Sequence, residues 1–249
     1  GRIMQFTYSW YKNIIELANK QGYSFCDYSN YNKHNQEIIL RHDIDMSLRK
    51  AVEMAKIENE LGVSSTYFVL MLTNFYNIGG KTERHLIKEL VSLGHNVGLH
   101  FDDTVYCSEK NRRSFDYSKA ISQEARILSD IIGEPVKFMS MHRPDKVTLE
   151  MNIDTGGIIN AYDKVFFDGE IKYVSDSRRH WREDVDSIIT NKTYDKIQML
   201  VHPFWYYENE VSATDALKMI IGESVSDRFM AIKDNITRVE EFLNEEDYL

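Results

Sequence analysis

Apolar residues along the chain follow two alternating rhythms. Short continuous or alternating runs of the strand kind occur at residues 37–45, 65–71, 96–102, 136–142, 171–176 and 196–202. Between them, apolar positions return at helical spacing. Residues 10–20 carry Tyr11, Ile14, Ile15, Leu17 and Ala18 on one helical face, and residues 47–61 do the same with Leu48, Val52, Ala55, Ile57 and Leu61. Further helices are predicted over 82–93 and 118–132, each stopped by a glycine (Gly94, Gly133), and Ser47 is placed to cap the helix that follows it. Residues 4–8 and 23–28 read as short strands, 184–190 as a short helix, and 213–243 as mainly helical with a break near Gly222. Between 144 and 167 the pattern weakens. Strand and helix alternate at intervals of roughly 30 residues, the signature of parallel βαβ units and an α/β fold.

Strand ends carry the chemistry. The run Ile38-Ile39-Leu40 closes on Arg41-His42-Asp43-Ile44-Asp45, and alternation along a strand puts Asp43 and Asp45 on one face with His42 on the other. The next strands end in His100-Phe101-Asp102, His142-Arg143, Asp176 and His202. Parallel α/β sheets and barrels place their sites at this edge. His100 and Asp102, like Asp43 and Asp45, stand two residues apart and share a face, so the two pairs can join on one divalent ion. A histidine with several carboxylates suits zinc, iron, manganese or cobalt. Of the adjacent His142 and Arg143, one is expected to point away from the site. Arg143 is suited to hold a carboxylate bidentately and depress its pKa, and His202 is a candidate acid because imidazole exchanges protons near neutral pH. His95, at the start of its strand, is read as structural, and His34, His85 and His180 as solvated. Phe204-Trp205-Tyr206-Tyr207 can wall a sugar cleft or simply pack.

Composition narrows the function classes. The formal net charge of −9 leaves no basic footprint for nucleic acid or an anionic membrane surface. No stretch approaches the length of a membrane span, and no leader pattern precedes the first helix. The two cysteines, Cys26 and Cys107, lie far apart with no CxxC spacing and read as reduced thiols, so a cytoplasmic location is expected. No shift in composition divides the chain. It reads as one catalytic domain over 1–249, with a strand-helix extension at 1–36 and a helical tail at 212–249.

Taken in order, these strand ends resemble the motifs of the polysaccharide deacetylase family, the NodB-like carbohydrate esterases. The resemblance spans roughly residues 37–205. It implies a distorted (β/α) barrel of about seven parallel strands and a metal-dependent hydrolase, usually with zinc, that removes acetyl groups from N-acetylated sugars. Arg41-His42-Asp43-Ile44-Asp45 is similar to the family's first motif with one residue between the aspartates, implying Asp43 as base and Asp45 as metal ligand. His142-Arg143-Pro144 matches the arginine-proline motif, implying that Arg143 orients the base. Leu200-Val201-His202 matches the leucine-x-histidine motif, implying His202 as the acid that protonates the leaving amine. Tyr173-Val174-Ser175-Asp176 with Trp181 is similar to the motif whose aspartate tunes that histidine. Trp181 and Leu200 are expected substrate contacts from these motifs and Trp205 from the aromatic run; the implied partner is a saccharide, and the expected cytoplasmic location makes a nucleotide-linked sugar a candidate.

One motif departs from the pattern. The family supplies two metal-binding histidines four residues apart, and here His100 is followed by Thr104. Asp102 is the first choice for the missing ligand and His142 the second. The departure motivates a rival reading, a barrel that binds a glycan or a partner without hydrolysing it. A further rival is a metal hydrolase for another amide or ester.

Overall fold

The structure, a computed structural model, describes residues 5–247. Strand pairing is centred on β2 (Glu37–Ile44), all eight residues of which are buried. β3 (Thr66–Leu70) runs parallel along one side and β8 (Lys196–Val201) along the other. Beyond β3 come β4 (Asn96–Phe101), β5 (Phe138–Met141) and the short β6 (Ile159–Asn160); beyond β8 comes β7 (Lys172–Ser175). A three-residue β1 (Ser24–Cys26) adds to the start of β2. Every pairing is parallel, which is why these strands read as near-continuous apolar runs: both faces are covered. The result is an α/β fold with seven parallel strands side by side and helices around them.

Alternation along the strands builds two outer cores and one inner core. On the outer side, Ile44, Val69, Leu99 and Met139 pack with residues of α2 (Leu48–Glu60), α3 (Lys81–Ser92) and α4 (Tyr117–Ile132). Leu40, Met199 and Val201 pack with α1 (Tyr8–Lys20) and, later in the chain, α7 (Val185–Thr190). The inner cluster holds Tyr28, Ile39, Phe68, Phe138, Phe166 and Ile171. Gly98 is needed here, because a Cβ at that position would meet the Phe68 ring and the Phe138 carbonyl at 2.7 Å. Residues on the inner face nearer the strand ends change from apolar to polar, and that is where the site lies.

The curve of strands does not close by pairing β6 with β7. Instead Gln198 on β8 reaches across, its Nε2 donating to the carbonyls of Ala161 (3.1 Å) and Phe166 (2.9 Å) while its Oε1 accepts from Tyr28 Oη at 2.6 Å. The weakly patterned stretch between them folds as two short helices, α5 (Lys146–Glu150) and α6 (Lys164–Phe167).

Contacts divide the chain into Gly1–Glu210, which holds everything above, and Val211–Leu249. The second unit carries α8 (Ala213–Asn235), capped by the Ser212 hydroxyl on the Asp215 amide. α8 runs through Gly222 without the expected break. The strand expected at 4–8 lies partly outside the described residues; within them, Thr7 makes a single bridge to Tyr207 and caps α1, and α1 begins at Tyr8. Ser47 caps α2 as its position suggested, accepting from the Lys50 amide. No helix among the described residues is long and apolar enough to cross a membrane.

Candidate active site

Asp43 is a buried carboxylate held by a neighbouring arginine. Arg41, two residues earlier and on the same face of β2, donates from Nε to Oδ1 (3.0 Å) and from Nη2 to Oδ2 (2.9 Å), closing a bidentate pair with no exposure of the arginine. Arg41 Nη1 makes no hydrogen bond; the guanidinium lies instead over the ring of Tyr162, 4.6 Å from its centroid, and Nη2 also donates to Tyr162 Oη at 3.3 Å. Burial alone would raise the Asp43 carboxyl, but Arg41, followed by His100 and His202, holds it below the usual carboxylate range. This corrects the expectation for Arg143: the guanidinium that orients Asp43 is that of Arg41. The sequence signal was the same i, i+2 rule that paired Asp43 with Asp45.

Next to this pair, three ligand atoms converge. Asp45 Oδ1 lies 3.4 Å from His100 Nε2 and 3.5 Å from His142 Nδ1, and the two histidine nitrogens are 3.1 Å apart. A tetrahedral zinc site with bonds of 2.0–2.1 Å has ligand-to-ligand edges of about 3.3 Å, so all three separations suit a shared cation. Asp45 Oδ1 is also buried without a hydrogen-bond partner, a costly state for a carboxylate oxygen that a cation would relieve. Burial would raise Asp45, yet His100 and His142 hold it far below the normal range. His100 Nδ1 lies 2.7 Å from Ser140 Oγ; with Nδ1–H donating there, Nε2 is left as the ligand atom. Asp45, His100 and His142 are the group among the described residues that can hold a metal.

Asp102 does not join them. Strand β4 ends at Phe101, so alternation no longer governs Asp102, and its Oδ1 accepts from the Thr104 amide (3.0 Å) and hydroxyl (2.6 Å). The position where a second histidine was expected is thus used in a local turn. The third ligand atom comes instead from His142, just beyond β5. Neither of the adjacent His142 and Arg143 turns away, contrary to the alternation argument: both line the site, because β5 has ended and Arg143 takes a left-handed backbone conformation (φ 46°). Such a backbone costs a non-glycine residue about 1–3 kcal/mol.

His202 stands opposite. Its Nδ1 lies 2.7 Å from Asp176 Oδ1, and its Nε2 faces Asp45 Oδ2 at 3.6 Å. Asp176 is fully buried and accepts also from the His202 amide and from Tyr206 Oη (3.0 Å). Burial would lower the imidazole, but the Asp176 charge and hydrogen bond, with Asp45 and Asp43 behind them, push it up to about 9. A group protonated at neutral pH therefore faces a buried carboxylate held ionised, the division of labour that acid–base chemistry needs.

A cavity of about 250 Å³ opens on these residues and is walled by Leu200, Tyr162, Phe167 and Tyr173. A larger one of about 730 Å³ adjoins it past Met71, Phe75 and Asp102 and shares Asp45, His142 and Arg143 with it. Of the expected substrate contacts, Leu200 lines the smaller cavity. Trp181 lines neither; it packs against Trp10, ring centroids 5.6 Å apart, on the outer side of β8. Trp205 packs at a tilt against Phe204 and under the Arg179 guanidinium, and it lines neither cavity. His42 points outward, to Glu58 Oε2 at 2.8 Å and the Val201 carbonyl at 3.2 Å, and His95 lies between Ala55 O and the Ser65 amide. Sequence reasoning missed Arg41, Ser140 and Tyr162. Ser140 shares a face with His142 and was readable by alternation, whereas Tyr162 lies in the weakly patterned stretch and carried no signal.

No protein-family model matches the chain, and no curated protein matches it. Among solved structures it is similar to a polysaccharide deacetylase from Bacillus cereus (TM-score 0.46, 17% identity, covering 74% of this chain and 85% of that one). It is similar also to a peptidoglycan N-acetylglucosamine deacetylase (TM-score 0.45, 18% identity, 85% and 90% covered) and to a CE4 family pseudoenzyme from Bacillus anthracis (TM-score 0.44, 14% identity, 78% and 61% covered). Polysaccharide deacetylases, the family whose motifs the sequence resembles, are thus also among the solved structures that this fold is similar to.

Proposed function

We propose that this chain is a divergent polysaccharide deacetylase, a metal-dependent hydrolase that removes the acetyl group from the nitrogen of an N-acetylated sugar, free or nucleotide-linked. The observation that carries the reading is the convergence of Asp45 Oδ1, His100 Nε2 and His142 Nδ1 between the clamped Asp43 and the protonated His202. Zinc fits the mixed oxygen and nitrogen donor set and the tetrahedral spacing best. When bound, the ion supplies Lewis acidity to the acyl oxygen and makes water a better nucleophile.

The residues of the chain do the rest. Arg41 keeps Asp43 ionised and fixed, so that its free lone pairs take the proton of the attacking water. His202 delivers the proton that the departing amine requires, and Asp176 fixes both its tautomer and its orientation. Leu200, Tyr162 and Tyr173 wall a space that can take an acetyl group beside Asp43 and His202.

Acetate release from a panel of N-acetylated oligosaccharides and nucleotide sugars tests the proposal. Asp43→Asn should lower the rate by about 10²–10⁴-fold while one metal ion per chain is retained. Full activity in that variant would remove Asp43 from the mechanism. A wild-type protein that holds the metal yet releases no acetate from any sugar would favour the barrel that binds without hydrolysing.

A further inference from the structure

Resting on that reading, the structure points to the kind of sugar. We infer that Arg143 is a substrate-recognition residue and that the preferred substrate carries an anionic substituent, a phosphate or a carboxylate, close to its acetylated amine. Three observations lead there. First, Arg143 does not fill the role its motif implies: it makes no hydrogen bond or ion pair to Asp43, which is held by Arg41. Second, Arg143 is the single lysine or arginine lining either cavity among the described residues, and it lines both, at their junction beside Asp45 and His142. Third, it makes no hydrogen bond or ion pair among the described residues, although Asp102 lines the same large cavity.

Arg143 follows directly on His142, so a candidate metal ligand and a free guanidinium stand side by side at the junction of the two cavities. A guanidinium presents parallel N–H donors matched to phosphate and carboxylate oxygens. The smaller cavity takes the acyl group, the larger one the sugar, and an anion on that sugar near the junction meets Arg143.

The test compares four ligands: N-acetylglucosamine, its 1-phosphate, its 6-phosphate and the corresponding uronic acid. Calorimetric titrations on the Asp43→Asn background keep the sugars intact, and kcat/KM on the otherwise wild-type chain gives a second measurement. At least one anionic sugar should bind about tenfold tighter than the neutral one, as a charge-assisted hydrogen-bonded pair implies. The identity of that arm separates phosphate from carboxylate. Arg143→Gln should bring the ratio to within about twofold, Arg143→Lys should restore part of it, and added salt should weaken it. Equal affinity for all four, or a preference that survives Arg143→Gln, overturns the inference while leaving the deacetylase reading in place. Binding of none of the four overturns both.

Discussion

At the scale of single residues, the site is set by which arginine holds Asp43. Because Arg41 has no exposure and its partner almost none, removing it leaves a carboxylate buried and uncompensated. Arg41→Gln should therefore lower the unfolding free energy by about 3–5 kcal/mol, whereas Arg143→Gln, in an exposed position, should change it by no more than about 0.5 kcal/mol. Urea unfolding of the two variants decides between the arginines. His202 governs the other side of the chemistry. Its imidazole is raised above the value of an unfolded histidine, so the stability it contributes is complete below about pH 6.5 and is lost as the pH rises through about 9. The proposed reaction uses the protonated form, so kcat should fall on the alkaline side as His202 loses its proton. Asp176→Asn removes the principal raising charge and should move that limb to lower pH, a shift visible in a rate profile.

Among elements, the ends of the parallel strands act together, and the third ligand shows how. β4 carries His100 and then ends, which leaves Asp102 to cap a turn; the neighbouring β5 ends one residue before His142, which reaches the same candidate site. His142→Ala should therefore lose stoichiometric zinc and Asp102→Asn should keep it, as metal analysis after dialysis would show. Much of this was legible in sequence. The apolar runs gave the strands, their ends gave Asp43, Asp45, His100, Asp176 and His202, and alternation sent His42 outward, where it meets Glu58. Alternation misled only where strands had already stopped, at Asp102 and Arg143, since a two-residue period holds only while the backbone stays extended. Trp181 failed for another reason: an aromatic near a motif is buried as readily in the outer core as in a cleft, and sequence spacing does not say which.

For the molecule as a whole, the arc of strands is sealed on one side by side-chain hydrogen bonds in place of a strand pair. Gln198 spans the gap between the two edges with bonds to Ala161 and Phe166. Two side-chain bonds protect less backbone than a ladder does, so local opening needs less free energy at this seam than within the paired strands. Hydrogen exchange should accordingly be faster across residues 159–171 than in β2 and β3, and Gln198→Ala should speed it there first. Tyr162 belongs to that segment and covers the Arg41 guanidinium. Each opening of the seam would uncover the cation that keeps Asp43 ionised and loosen one wall of the smaller cavity, so under the proposed activity the same breathing that admits exchange would also set how often substrate enters and product leaves.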